Sequence, residues 1–465
     1  MATRSSSSSW AATAATVLVA LLAGPLADAS SSPAATTGGG VSFPSAGSGD
    51  GFLAVPVGTV ARPARTAAGA KGKRAGRAVE AHLDNMAFFY ATEVQIGTPA
   101  QRVTVLVDTG SSELWVNPDC STAPSEAQSR QCAGFGQYEP ERSRTPPEGP
   151  FGHETINYGD PSDQTTQTSV SIRYYRDTIA FGGGGAARVV NQTFGVVARS
   201  RGQSQGILGL APTLRGGAHG RAPYSLVLNS MAAQGVIASR VFSLDLRRSD
   251  ADKGAVIYGG VDRGRFAGRL ERRPIVRGVQ GEHRLAVELT TVGVSLPGQR
   301  PQNFAVAGDD ANVMLDSGTT VSRIHPAVAL PILEALEARD DGEGYYRVPC
   351  AAARAAAGTV DFGFGPKTIR VPFRDFILDM AGDASVCYVG MVLTTDQQIL
   401  GDSVLRAGYF VFDWDNGAVH IAQAASCGPS DIVAVGSGPD AVPSVAGHCG
   451  ADAGPADATV TGKVY

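Results

Sequence analysis

The chain has no Cys-x-x-Cys pair, and its seven histidines are scattered. Metal ligands cluster at short spacings, so no metal and no cofactor are expected, and each histidine reads as a surface or satisfied residue. Charge is sparse as well. Only 18% of the 465 residues are charged while 43% are hydrophobic, which excludes a disordered chain and demands a buried core. Long apolar runs are missing. The apolar stretch from Ala14 to Leu22 is too short for a transmembrane span. The C-terminal Gly462-Lys463-Val464-Tyr465 offers no apolar tail for a lipid anchor. Long amphipathic helical patterns are few, whereas glycine (58) and proline (27) are plentiful. That balance points to an all-β fold with many turns.

Length and targeting divide the chain further. Arg4 and a serine run precede the apolar stretch, and Ala27-Asp28-Ala29 fits a small-residue cleavage site, so residues 1–29 read as a signal peptide. Residues 30–74 are rich in Ser, Gly, Ala and Pro and end in Lys71-Gly72-Lys73-Arg74, the only Lys-Arg pair in the chain. A dibasic step behind a signal peptide reads as the end of a pro-segment. Residues 1–74 carry six basic and two acidic residues, and the remainder carries 33 and 41. A leader of net +4 can pair with a body of net −8 and hold an acidic cleft shut, so the pro-segment is expected to act as the chain's own inhibitor. A body of that sign also argues against nucleic acid as a partner. At this length two lobes are expected, placed at 75–240 and 241–425, followed by a Gly/Ala/Ser/Pro-rich tail, 426–465. The product is expected to be secreted, extracellular, without a membrane anchor, and monomeric.

Six cysteines in a secreted chain imply bridges, although spacing alone leaves 15 pairings. Nearest-neighbour pairing is the simplest: Cys120 with Cys132, Cys350 with Cys387, and Cys427 with Cys449. The last pair would close a loop in a tail otherwise expected to be flexible. One glycosylation sequon is present, Asn191-Gln192-Thr193.

Two short strings carry the chemistry: Val107-Asp108-Thr109-Gly110-Ser111 and Leu315-Asp316-Ser317-Gly318-Thr319, with the aspartates 208 residues apart. A single Asp-hydroxyl-Gly is an ordinary turn. Only roughly 0.2 such matches are expected by chance from average residue usage, and this chain has two. Each is followed by a second apolar signature, Ile207-Leu208-Gly209 after the first and Ile399-Leu400-Gly401 after the second. A duplicated lobe with its acid at the dyad explains that order. Two carboxyls held a few ångströms apart cannot both ionise, so they share a proton. The ionised partner can then activate a water while the neutral one protonates a carbonyl, which is acyl-bond hydrolysis without a covalent intermediate. Thr109, Ser111, Ser317 and Thr319 can donate hydrogen bonds that orient the acids. Gly110 and Gly318 leave room for a peptide to approach.

From about Phe89 to Ala424 the chain resembles the pepsin-like aspartic proteases, and most of all their secreted fungal members. The matching strings include FYATEVQIGTPAQRVTVLVDTGSSELWV, INYGD, GILGLAP, VMLDSGTTVSRI, ILGDSVLR and YFVFDWDNGAVHIAQA. The resemblance implies a bilobal pepsin-like fold, two duplicated β-barrel-like lobes with the active site in the cleft between them. It implies an aspartic endopeptidase acting at acidic pH on peptide and protein substrates, with apolar residues favoured around the cut. Asp108 and Asp316 match the catalytic pair. Tyr158 matches the tyrosine of a flap that closes over substrate, with Gly159 and Asp160 beside it, and Trp115 matches the tryptophan bonded to that tyrosine. Asp160 hints at acceptance of Lys or Arg near the cut. Gly110 and Gly318 match backbone contacts to substrate, and the first two cysteine pairs match the bridges of the fungal enzymes. The alternative is a catalytically silent relative that binds peptide or protein in the same cleft. In the flap, Pro161 replaces an expected glycine, and Asp163 to Arg173 is longer and more polar than usual. Proline fixes φ and removes a donor, so the flap tip is expected to be reshaped.

Overall fold

Val103 to Asp108 are all buried. A run of β-branched and aliphatic residues suits a strand covered on both faces, and Gln101–Asp108 is such a strand, delivering Asp108 at its end. The computed structural model describes residues 47–49, 51–61, 88–145, 147–159, 167–181, 187–212, 224–247, 254–278, 281, 283–342, 344–350, 358–379, 386–442, 444–450 and 460–463. The signal peptide, Lys71 to Arg74, and Asp160 with Pro161 lie outside these residues. The fold is mostly β and bilobal, as expected.

The duplicated motifs acquire a physical reason. Gln101–Asp108 runs parallel to Gly206–Gly209, with Val107 opposite Leu208 and Asp108 opposite Gly209. In the other half, Asn312–Leu315 runs parallel to Gln398–Leu400, with Met314 opposite Ile399 and Leu315 opposite Leu400. In each half a third strand crosses antiparallel: Trp115 lies opposite Ile207, and Arg323 lies opposite Ile399. Both residues stand seven positions after their aspartate. The glycine ending each Ile-Leu-Gly has no room for a side chain. A Cβ on Gly209 would strike the Ser111–Glu113 backbone, and one on Gly401 would strike that of Thr319 and Thr320. Each Ile-Leu-Gly therefore braces its aspartate turn from behind.

One long sheet runs from Glu271–Pro274, through Gly408–Asp413, Val241–Asp245 and Gly254–Tyr258, to Phe52–Ala61, Phe88–Ile96 and Gln101–Asp108. Its far edge is the hairpin of Thr168–Phe181 and His153–Tyr158. Phe52–Ala61 belongs to the segment expected to be a leader, yet it is paired on both sides, with Gly254–Tyr258 and with Phe88–Ile96. Leu53, Val55 and Val57 alternate at the period of a strand, and none is more than 1% exposed. Pro56 supplies no donor, but its carbonyl accepts from Thr92 Oγ1 at 2.8 Å.

The loop that a Cys427–Cys449 bridge was expected to close, the part of the tail exempted from flexibility, is built into the fold. Ile432–Ala434 pairs with Gly260–Asp262, and Val435 and Val442 are buried against Phe266 and Tyr409. The buried Asp262 carboxylate accepts from Ser430 Oγ at 2.5 Å and from the Asp431 and Gly264 amides, both at 2.9 Å. Composition concealed this because a few spaced valines and one acid elsewhere in the chain fix the segment. The cysteines pair as 120–132, 350–387 and 427–449.

Candidate active site

Thr109 and Ser317, the residues after the two aspartates, are fully buried and grip each other's turn. Thr109 Oγ1 donates to the Leu315 carbonyl at 2.8 Å and accepts from the Ser317 amide at 2.9 Å. Ser317 Oγ donates to the Val107 carbonyl at 2.8 Å and accepts from the Thr109 amide at 3.2 Å. Four hydrogen bonds between short, buried groups fix one turn against the other. Replacing Thr109 with valine keeps the volume but leaves the Ser317 amide and the Leu315 carbonyl without partners. Burial of two such groups is expected to cost about 2–5 kcal/mol, read as a lowered urea midpoint with the disulfides intact.

The acids are held with the same symmetry. Asp108 Oδ1 accepts from the Gly110 amide at 2.8 Å, and its Oδ2 accepts from Ser111 Oγ. Asp316 Oδ1 accepts from the Gly318 amide at 2.8 Å, and its Oδ2 accepts from Thr319 Oγ1 at 2.6 Å. The glycines interlock with the opposite acid. A Cβ on Gly110 would come within 2.5 Å of Asp316 Oδ1, and one on Gly318 within 2.5 Å of Asp108 Oδ1. Asp108 and Asp316 are 5% and 7% exposed. Burial is the largest influence on Asp108 and the neighbouring charge of Asp316 the second. Together they push its carboxyl up to about 8, against the lowering effect of the Ser111 and Gly110 bonds. Such a pair can hold one proton and one negative charge side by side.

Tyr158 ends the edge strand of the hairpin, and its hydroxyl accepts from Trp115 Nε1 at 2.7 Å. Burial first and the charge of Asp108 second hold the phenol above its usual range, so it stays neutral. Glu154, Ile156 and Tyr158 share the inward face of that strand. Gly159 follows with φ +95°, a left-handed conformation that glycine takes at no steric cost. Asn191 is exposed, with φ +52°, on the strand Ala187–Arg201.

Two residues near the pair were not singled out by sequence. Arg284 Nη1 donates to the Gly110 carbonyl at 2.9 Å; no motif marks it. Glu113 lies five positions after Asp108, and its Oε2 is buried without a hydrogen-bond partner among the described residues. Burial first and the charge of Glu154 second push its carboxyl up to about 8. The one signal for Glu113 was an acid set directly before the apolar Leu114-Trp115-Val116. Among the described residues no group of three or more His, Cys, Asp or Glu is placed to hold a metal.

A family model described as eukaryotic aspartyl protease matches residues 89–424. Secreted aspartic protease 1 of Candida albicans is 33% identical over 400 residues, covering 83% of this chain and 93% of that one. Candidapepsin of Candida tropicalis is 32% identical, covering 74% and 82%. A probable aspartic-type endopeptidase, opsB, of Aspergillus oryzae is 31% identical, covering 80% and 76%. The solved aspartic proteinase from Irpex lacteus superposes with a TM-score of 0.56 at 21% identity, over 72% of this chain and 94% of that one.

Proposed function

Because the chain belongs to the eukaryotic aspartyl protease family and is a pepsin-like aspartic-type endopeptidase, we propose that it is secreted as a zymogen and cleaves proteins at acidic pH with Asp108 and Asp316 as its catalytic pair. The observation that carries this reading is the matched set of bonds on the two carboxyls, each with one amide and one hydroxyl donor. Two acids so oriented can take a proton from a water lodged between them and return one to the substrate carbonyl oxygen. The water oxygen then bonds to the carbonyl carbon and a neutral tetrahedral diol forms. Its collapse breaks the C–N bond: one diol hydroxyl gives its proton to the ionised carboxylate as the carbonyl re-forms, the other carboxyl's proton goes to the departing amine, and the pair ends as it began, with one proton shared.

Tyr158 serves as the aromatic lid that keeps bulk water out. The apolar residues around it suit apolar side chains beside the cut. The basic leader holds the enzyme silent until it is removed or acid protonates the carboxylates it faces. Among the described residues no helix is long and apolar enough to cross a membrane. The test is hydrolysis of denatured haemoglobin from pH 2 to pH 8. Activity confined to the acid side and abolished by a statine-type inhibitor is expected. A matured chain that binds the inhibitor but cleaves nothing would identify a silent peptide-binding relative instead.

A further inference from the structure

We propose that the outer face of the hairpin carrying Tyr158 binds a polysaccharide that bears strong-acid esters, sulfate or phosphodiester. The face is built from His153–Tyr158, Thr168–Phe181 and Ala187–Arg201, paired in that order at the end of the long sheet. Their register sets the side chains in rows. His153 lies opposite Arg173. Thr155 lies opposite Ser171 and Ser171 opposite Arg199, while Asn157 lies opposite Ser169 and Ser169 opposite Arg201. Residues paired across strands project to the same side of a sheet, so the three arginines share one face. All three are exposed. Glu154, Ile156 and Tyr158 take the opposite side, where Val170 and Ile172 are buried.

The three guanidiniums are uncompensated. None is ion-paired or hydrogen-bonded among the described residues, whereas Arg176, farther along the same strand, is held by Glu148 at 2.6 Å. These strands contain only two acids, Glu154 and Asp177. Glu154 is on the inward side, and Asp177 is buried and accepts from the Tyr138 hydroxyl at 2.8 Å. Ser200, between Arg199 and Arg201, turns the other way and accepts from the Asp119 amide at 2.8 Å. The Asp119 carboxylate is itself taken by the amide and hydroxyl of Ser121. A body of net −8 thus presents a patch of the opposite sign here.

Spacing and company select the ligand. Two residues along a strand are about 7 Å apart, which separates Arg199 from Arg201, and Arg173 stands roughly 8 Å from Arg199 on the diagonal. One small anion cannot meet all three, but a polymer with repeated charges can. The side chains between the arginines are hydroxyls and an amide, which suit the hydroxyls of a sugar. These rows hold no aromatic side chain to stack a base and no exposed apolar one to enter a bilayer. Acid strips a carboxylate polymer of its charge near pH 4, while a guanidinium and a strong-acid ester both stay ionised. At the acid pH of the reading above, the ester is the group that keeps its attraction.

The test is calorimetry on the full chain at pH 4 and about 50 mM salt, with heparin as the probe. Wild type is expected to bind, and to let go as salt is raised. Changing Arg173, Arg199 and Arg201 together to glutamine should weaken binding about 30-fold, about threefold for each exposed cation. The same change at Arg272, Arg300 and Arg374, exposed arginines elsewhere, removes equal charge and should leave affinity within about twofold. Lysine at the three positions should retain most of the binding. A wild type that ignores heparin overturns the proposal, as do equal losses in the two glutamine triples. Tighter binding to phosphatidylserine vesicles, single-stranded RNA or polyglutamate than to heparin overturns it too. If the glutamine triple misfolds, Arg199→Gln alone and the lysine form decide. No peptide is cut in this assay, so its failure is distinct from failure of the endopeptidase reading.

Discussion

Asp316→Asn is expected to lower kcat/KM on an apolar test peptide by about 10⁴-fold or more, with far-ultraviolet circular dichroism unchanged. Asparagine fills the same volume, and its carbonyl oxygen can still accept from the Gly318 amide or from Thr319 Oγ1. What it cannot do is share a proton. The pair then lacks either the base that deprotonates water or the acid that protonates the carbonyl, and no nearby group replaces it. Glu113, the acid nearest in sequence to the first turn, lies on the far side of Ser111 and has its own surroundings of Glu154 and Tyr158. The same change relieves Asp108 of its neighbour's charge, so the Asp108 carboxyl should titrate lower in the variant. Activity within tenfold of wild type would remove the pair from the mechanism.

The second large effect is a loss of stability as pH rises from about 4 to about 8. The carboxyls of Asp108 and Glu113 are each pushed up to about 8, in both cases chiefly by burial. In the unfolded chain they titrate near 3.9 and 4.3. Between those limits the folded state keeps protons that the unfolded state has released, so stability must fall with pH. The contribution is fully present below pH 4 and is gone above the folded-state values. Each unit of displacement is worth about 1.4 kcal/mol, so two such groups weaken the fold by several kcal/mol at neutral pH. Thermal melts in a pH series should show this decline in wild type, and Glu113→Gln should flatten it. A midpoint as high at pH 8 as at pH 4 would contradict it.

The two aspartate turns were legible in the sequence because steric demands leave so few residue choices there. Gly110 and Gly318 face a carboxyl across the axis, and Gly209 and Gly401 press on backbone, so all four must lack a side chain. Trp115 and Tyr158 were legible through the resemblance, and they do bond to each other. Cysteine spacing left fifteen pairings open, yet the simplest is the one present. Arg284 was not legible, since its meaning depends on a carbonyl 174 positions away. The tail escaped notice for the same kind of reason: its valines matter only because Phe266 and Tyr409 leave a place for them. Phe52–Ala61 was hidden inside a segment read as a leader because its average composition is that of a linker, although Leu53, Val55 and Val57 keep the alternation of a strand.

That leader strand changes what a maturation cut behind Arg74 would mean. A pro-segment resting on the surface can leave as a plug leaves a bottle, with nothing else disturbed. Here the piece that such a cut would release is an interior rib of the long sheet, hydrogen-bonded along both edges. Its departure would open a slot in the sheet, so ripening would reshape the enzyme's framework as well as unblock its mouth. The form that emerges need not be reachable by refolding the shortened chain, and scission would run like a ratchet, forward only.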